Sequence, residues 1–343
     1  MPAEPAIVEI VSSRSIGRQG DAGPLFMKSA GSRGEELWTV ARDTRGECVF
    51  FDRSGGQLCV IHRDVGEEAL PSACRHFPRR VLHDARGTLI SLSHFCPTAA
   101  AMLLADGTPA IVDAHPPLRL ECEMEGLDAR DALPPLLRPG LLCDVAGYAE
   151  WEKAGLASLA RPQHPHGRCL DDLAAITEVI RQWRPGNDSL PDTVRAAFRT
   201  EKRNVPATGC YSRVMQRVAR LTAGSAGEDL APIADFAAHW RDRVGIVPLD
   251  WFDQGMKNYL AARLFGNWIA YQGQGLRSIV EWVRTCAAVV HHFALRRLLE
   301  SKLPFDRAGF IEALRSADLL LLHVLDSQSF ARDVASLEES NGS

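Results

Sequence analysis

The sequence predicts a mainly α protein: a small irregular cysteine-containing α+β module followed by a C-terminal helical bundle. Two observations carry this. From Leu170 onward, apolar residues recur at helical spacing over long segments, whereas residues 36–105 break into short apolar runs punctuated by turn residues. The composition allows it, since 343 residues, 46% of them hydrophobic, can bury one large core or two moderate ones.

Taken in order, residues 1–35 read as a loosely ordered leader, with scattered apolar residues and recurrent glycine. Residues 36–105 form the cysteine-cluster module. Leu37–Val40 is a short apolar run, a strand or a helix end. Cys48–Phe51 and Leu58–Ile61 are strand-like and flank Asp52-Arg53-Ser54-Gly55-Gly56, a turn, so a hairpin should present Cys48 beside Cys59. Asp64–Leu70 reads as a helical turn, and Pro71 precedes Cys74. Val81–Leu82 and Thr88–Leu92 flank Asp84-Ala85-Arg86-Gly87 and make a second hairpin. Pro97 suits the first turn of a helix running to Leu104. Cys96 then sits at that helix's N-terminal end, where the dipole favours a thiolate.

Residues 106–168 are a connector rich in Pro and Gly, interrupted by a helix near Val145–Leu159. Residues 169–335 form the helical domain. Its first helix carries Leu170, Leu173, Ala174, Ile176, Thr177 and Ile180 at helical spacing and ends before Pro185-Gly186. Val214–Leu221, Ile233–Val244, Trp251–Ala270, Leu276–Leu299 and Arg307–Leu325 come next. Several are apolar around much of their surface, which predicts a packed bundle. Residues 336–343 are a tail. No repeat recurs at a fixed period.

The charge balance narrows the function. A net charge of −4 offers no electrostatic case for nucleic acid as a partner. No apolar run reaches the ~18 residues that span a bilayer, and no basic segment followed by a long apolar stretch marks a signal peptide. The nine cysteines are odd in number and irregularly spaced, and read as cytoplasmic thiols or metal ligands, not as a disulfide framework.

Four of those cysteines are the main chemical signal. Cys48, Cys59, Cys74 and Cys96 each occupy a small turn-flanked segment, separated by ten, fourteen and twenty-one residues. Thiolates are soft ligands, and four converging on one point hold zinc or an iron–sulfur cluster. The gaps are wider than a C-x2-C knuckle, so buried apolar thiols are the alternative reading. His62, His76 and His94, each within three residues of a cysteine, are candidates to complete a mixed site or are ordinary core and surface residues. Arg75 and Arg79 either flank thiolates, or cap neighbouring carbonyls or pair with Glu67 and Glu68. Cys122, Cys143, Cys169, Cys210 and Cys286 match no motif. His291 and His292 are neighbours on a helix, about 100° apart, and are poorly placed to share one ion.

Two stretches around the cysteines resemble a known family. One is Cys59-x14-Cys74-Arg75-His76-Phe77-Pro78-Arg79, with Val65-Gly66 and Glu68-Ala69-Leu70-Pro71 inside it. The other is Ser91-Leu92-Ser93-x2-Cys96-Pro97-x-Ala99-Ala100. Together they resemble the cysteine-cluster region of the flagellin lysine N-methylase (FliB-type) family, itself similar to the YkgJ-like zinc- or iron-chelating proteins. The likeness is dense over residues 46–104. Further on, Lys257-Asn258-Tyr259-Leu260 and Ala317-Asp318-Leu319-Leu320 resemble helical segments of the same family. The resemblance implies zinc or an iron–sulfur cluster on Cys48, Cys59, Cys74 and Cys96. For the methylase branch it implies methyl transfer from S-adenosylmethionine to lysines of a protein substrate, flagellin among them.

In one respect the chain departs from the family. Its members open with a first group of closely spaced cysteines ending in a Cys-Cys pair, and residues 1–47 here contain no cysteine. The expectation is that half of the cluster is lost or that the start is misassigned. Nor is there a glycine-rich turn after a strand for an S-adenosylmethionine site of the doubly wound kind. Gly273-Gln274-Gly275 lies between helices and Gly224-Ser225-Ala226-Gly227 comes after one. No Gly-x-Ser-x-Gly elbow, P-loop or His-Glu-x-x-His is present. Catalytic and cofactor-contacting residues stay unassigned. Two functions remain: a cysteine-cluster protein of the methylase type, or a non-catalytic helical binding protein with a degenerate metal site.

Overall fold

Short strands and short helices make up the described part of residues 1–77, and helices dominate the remainder of the chain. The computed structural model describes residues 2–3, 5–13, 24–30, 36–43, 48–52, 58–105, 107, 110–113, 126–200, 211–223, 230–244, 250–272, 274–301 and 304–340. The chain divides into two units, the described residues up to Phe77 and those from Pro78 onward. The break falls inside the stretch that the sequence reads as one cysteine module. As a whole the fold is mainly α with a small α+β module at the N-terminus.

In the first unit, β1 (Pro2–Ala3), β3 (Glu36–Val40) and β2 (Phe26–Ala30) pair antiparallel in that spatial order, with Phe26 opposite Val40 and Pro2 opposite Thr39. Helix α1 (Pro5–Ser13) buries Ile7 and Val11, four residues apart on one face, in a core with Phe26, Val40, Phe50, Val60 and Ile61. Leader residues 5–13 and 24–30 therefore help form this core, because Ile7, Val11 and Phe26 supply its apolar surface. Strands β4 (Phe51–Asp52) and β5 (Leu58–Cys59) pair with Phe51 opposite Cys59. The expected hairpin is present but brief: a helix, α2 (Val60–Asp64), starts directly after Cys59. The residues of its turn, 53–57, lie outside the described residues. A 3-10 turn (Glu67–Ala69) and α3 (Ser72–His76) complete the unit.

The second unit opens with β6 (Arg79–Asp84) and β7 (Gly87–Leu92), whose register runs from Arg79 opposite Leu92 to Asp84 opposite Gly87. This is the second hairpin read from the sequence. Gly87 closes its two-residue loop at φ 120°, a conformation that favours glycine. Next come α4 (Pro97–Met102) and β8 (Gly126–Asp128), which pairs parallel with β6. The minor strands β9 (Leu136–Arg138) and β10 (Leu141–Leu142) lie beyond it in the chain.

Helix α5 (Val145–Leu159) has the predicted bounds because Asp144 caps it, accepting the Gly147 N–H at 2.5 Å. Then come α6 (His166–Ile180), α7 (Leu190–Arg199), α8 (Tyr211–Leu221), α9 (Phe236–Arg243) and α10 (Asp250–Leu264). Helices α11 (Leu276–Ser301), α12 (Arg307–Asp318) and α13 (Ser327–Ser340) end the order, with a π-turn at Leu319–Val324 between the last two. Helix α11 is central and packs on α6, α8, α9, α10, α12 and α13. No strand occurs among the described residues of 170–335, as the bundle expectation requires. Helix α10 stops six residues short of the expected Ala270, after which a 3-10 turn covers Trp268–Tyr271. No helix among the described residues is long and apolar enough to cross a membrane.

Candidate functional site

The four predicted ligands fall in different settings. Cys48, Cys59 and Cys74 belong to the first unit and Cys96 to the second. Cys48 forms an isolated bridge with Arg42, and its carbonyl accepts the Phe51 N–H, which starts the turn into β4. Pairing of β4 with β5 then brings Cys59 into electrostatic reach of Cys48. Desolvation of the sulfur pushes the Cys48 thiol up, although the residue is exposed, and Cys59 pushes it the same way. Cys59 and Cys74 both pack on the apolar core of the first unit. Cys96 is the N-cap of α4 with Pro97 in the first turn, the expected position.

The hairpin thus assembles two thiols of the four. Among the described residues, no three His, Cys, Asp or Glu side chains group as metal ligands. A tetrahedral zinc site needs four such donors and a cubane or rhombic cluster needs the same number of thiolates. The described side chains, as arranged here, therefore do not form a metal cage. His62 is exposed on α2, His76 is buried on α3, and His94 faces a carboxylate instead of a cysteine.

That carboxylate, Asp318, centres a buried polar cluster that sequence reasoning did not find. The Tyr259 hydroxyl donates to Asp318 Oδ1 at 2.8 Å, and the His94 backbone N–H donates to Oδ2 at 2.5 Å. His94 Nδ1 stands 3.2 Å and Arg263 Nη1 3.5 Å from the same Oδ2. Arg263 Nη2 also donates to the Leu92 carbonyl, tying α10 to the end of β7. Tyr259 and Arg263 are four residues apart on α10, so one helix face supplies both. Burial alone would raise the Asp318 carboxyl, but Arg263 and His94 outweigh it and hold it below the usual carboxylate range. Burial pushes His94 down and Tyr259 far up, so at neutral pH both are uncharged.

Three separate stretches meet here: Ser91–Pro97, Lys257–Leu260 and Ala317–Leu320. Asn258 of the second donates to the Leu103 carbonyl just past α4. The available signal was a single aspartate, Asp318, set between Ala317 and a run of four leucines, where a solvated helix face is not expected.

A second cluster joins α6, α10 and α11. Asp253 accepts from His166 Nδ1 at 2.6 Å and from the His166 N–H at 2.7 Å, and it pairs with the buried Lys257 at 2.7 Å. His166 Nε2 lies 3.2 Å from His291 Nε2. Burial is first and His166 second in pushing His291 down. His292 points elsewhere, with its Nδ1 hydrogen-bonded to the Tyr211 hydroxyl at 2.7 Å, so the adjacent histidines serve different partners. The carboxylate and lysine charges of this cluster balance one another.

No protein-family model, no curated protein and no solved structure matches the chain.

Proposed function

We propose that this chain is a cysteine-cluster protein of the FliB-type and YkgJ-like class, with methyl transfer from S-adenosylmethionine to lysines of a protein substrate such as flagellin as its most specific activity. One observation supports the reading above others. The segments that carry the resemblance in the second unit, Ser91–Ala100, Lys257–Leu260 and Ala317–Leu320, lie far apart in sequence yet each reaches the Asp318 carboxylate. Tyr259 and Asp318 belong to the resembling helical segments, and the loop of the third segment meets the same carboxylate through the His94 backbone N–H. Cys48, Cys59, Cys74 and Cys96 are the proposed ligands of zinc or an iron–sulfur cluster, and the cytoplasm is the proposed compartment. The only parallel pairing among the described residues is the short β6–β8 contact, so S-adenosylmethionine would bind without a doubly wound sheet. The test is incubation of anaerobically purified protein with labelled S-adenosylmethionine and flagellin from the same organism. Label on flagellin lysines is the expected result.

A second reading has its own support. The lack of a three-ligand group among the described residues, and the raised Cys48 thiol, favour a non-catalytic helical binding protein with a degenerate metal site. Absence of label together with absence of bound zinc or iron in the same preparation would select it.

A further inference from the structure

The cluster that joins α6, α10 and α11 holds two imidazoles in a contact with room for one hydrogen. His166 opens α6, His291 lies within α11, and their Nε2 atoms stand 3.2 Å apart. His166 is fixed from its other side, because its backbone N–H and its Nδ1 both bond Asp253, at 2.7 and 2.6 Å. Burial would raise the Asp253 carboxyl, but His166 and Lys257 outweigh it and hold it below the usual range, so it only accepts at neutral pH. Nδ1 of His166 therefore carries a hydrogen, and its Nε2 turns a lone pair to His291. One hydrogen, on His291 Nε2, completes the contact. A single added proton leaves that shared hydrogen in place. A second proton would set two N–H groups and two positive charges face to face at this distance, and the contact would be lost. Burial and then His166 already push His291 down to about 3. The charged groups that face the pair, Asp253 and Lys257, both come from α10 and balance each other. Cys169, one turn along α6, is kept a neutral thiol by burial.

A lightly held helix lies against His291. No residue along α9 is buried, and only Phe236 and Trp240, four apart, turn inward. The Trp240 and His291 ring centroids are 4.6 Å apart, and Trp240 also packs on Phe252 and Phe305. Phe236 stacks on Tyr211, the titratable group that α8 brings near, whose hydroxyl is taken by His292. Asp235 leads into α9 in the left-handed region, at φ 48°, and its side chain makes no cap. His166 cannot give way without losing both bonds to Asp253, so His291 is the ring that moves. Of its neighbours, Phe252 is buried in the bundle core, whereas Trp240 belongs to the exposed α9. A charged His291 therefore reaches water where α9 lifts.

We infer that the His166–His291 pair is an acid-sensitive latch for α9, closed while the two rings share one hydrogen and released when both are protonated. The latch does not depend on the methyl-transfer reading. The closed pair binds at most one proton, whereas separated imidazoles bind one each near their ordinary pKa of about 6.5. The released state thus binds more protons, and well below that pH its share rises about tenfold per pH unit. Hydrogen exchange of the full chain, corrected for the pH dependence of intrinsic amide exchange, measures this release. Between pH 7.5 and 5, protection of the α9 amides should fall about tenfold or more beyond that of α5, which reports global unfolding. His291→Gln keeps a donor toward His166 and takes no charge, so its α9 protection should follow that of α5. His166→Gln leaves a single imidazole, so its α9 response should also shrink, and it carries the test if His291→Gln does not fold. The inference is overturned if α9 and α5 lose protection in step in the unaltered protein. It is equally overturned if the glutamine variant loses α9 protection as the unaltered protein does.

Discussion

The two units bury their residues by different means. In the first, short elements each contribute one or two apolar side chains to a small core, such as Ile7 and Val11 from α1 and Val60 and Ile61 from α2. Its thiols sit at the margin of that core. In the second, long helices bury charged groups as well, some paired locally, as Lys257 with Asp253 within α10 and Arg86 with Asp84 within one hairpin, and others matched across elements: Arg86 with Glu152, and Tyr259, His94 and Arg263 with Asp318. The difference separates two kinds of signal. Chemistry in the first unit is local and visible as cysteines in turns. In the second unit it arises only when distant helices meet.

If this contrast holds, the largest loss of stability should come from removal of the Asp318 carboxylate. Asp318→Ala leaves the Tyr259 hydroxyl and the His94 N–H without their acceptor and the Arg263 guanidinium without its counter-charge. Breaking a buried pair in this way costs about 3–5 kcal/mol. Urea unfolding measures it, and a loss under about 1 kcal/mol would mean that the cluster is not the keystone of the second unit.

Packing should give the next largest effect. A Cβ on Gly255 would stand 2.6 Å from Cε1 of Phe310, where α10 closes on α12. Phe310 is fully buried and ringed by Trp251, Phe252 and Phe305, so it has little room to yield. Gly255→Ala should cost about 1–3 kcal/mol, as overpacked cores do. An unchanged urea midpoint would show that the helices can slide apart.

These two sites also mark what was legible in the sequence. The hairpin of β6 and β7 and the bounds of α5 were readable, because Gly87 and Asp144 act within their own segments. Helix α7 was not anticipated, although Ser189 caps it by accepting the Asp192 N–H and Pro191 lies in its first turn. The Leu190-Pro191 pair and the preceding Pro185-Gly186 turn masked a helix whose buried stripe is only Leu190, Val194 and Ala197. The Asp318 cluster was legible only as fragments. Tyr259 and Arg263 look like ordinary residues of an amphipathic helix until β7 and α12 are placed against them, and no local pattern encodes that placement.

The acid limb of stability should divide the units a third way. Burial lowers His94, so the folded state refuses a proton that the unfolded chain accepts near its ordinary pKa of about 6.5. The unfolded state then binds more protons, and stability falls as pH drops below about 6.5. Asp318 is held below its ordinary carboxylate range, so its contribution is present above about pH 4 and is lost as pH falls further. Two successive declines are expected in urea midpoints between pH 7.5 and 3. His94→Gln should shrink the first decline and leave the second, the remainder of the first coming from His291 and His323, which burial also lowers. A His94→Gln profile parallel to that of the unaltered protein between pH 7 and 5 would show that His94 does not set the first decline.

The smallest stability effects should come from the thiols that the sequence made most conspicuous. Cys48→Ser and Cys59→Ser should each change stability by less than about 1 kcal/mol, since neither side chain is fully buried. Their value lies in reactivity. With Cys122 and Cys210 replaced by serine, because both lie outside the described residues, native labelling by a maleimide should reach Cys48, Cys59, Cys74 and Cys96. Cys143, Cys169 and Cys286 are buried and should react only on unfolding. Desolvation and the neighbouring Cys59 raise the Cys48 thiol, so its labelling at pH 7 should be slower than that of an unstructured peptide thiol and should gain as pH rises. Zinc added to the reduced protein then separates the two readings of the cysteines. If one ion takes four sulfurs, all four cysteines are protected together, and Cys96→Ser abolishes the protection of the other three. If only the hairpin binds, Cys48 and Cys59 alone are protected and Cys96→Ser changes nothing, which would confine the metal chemistry of this chain to a pair of thiols in the first unit.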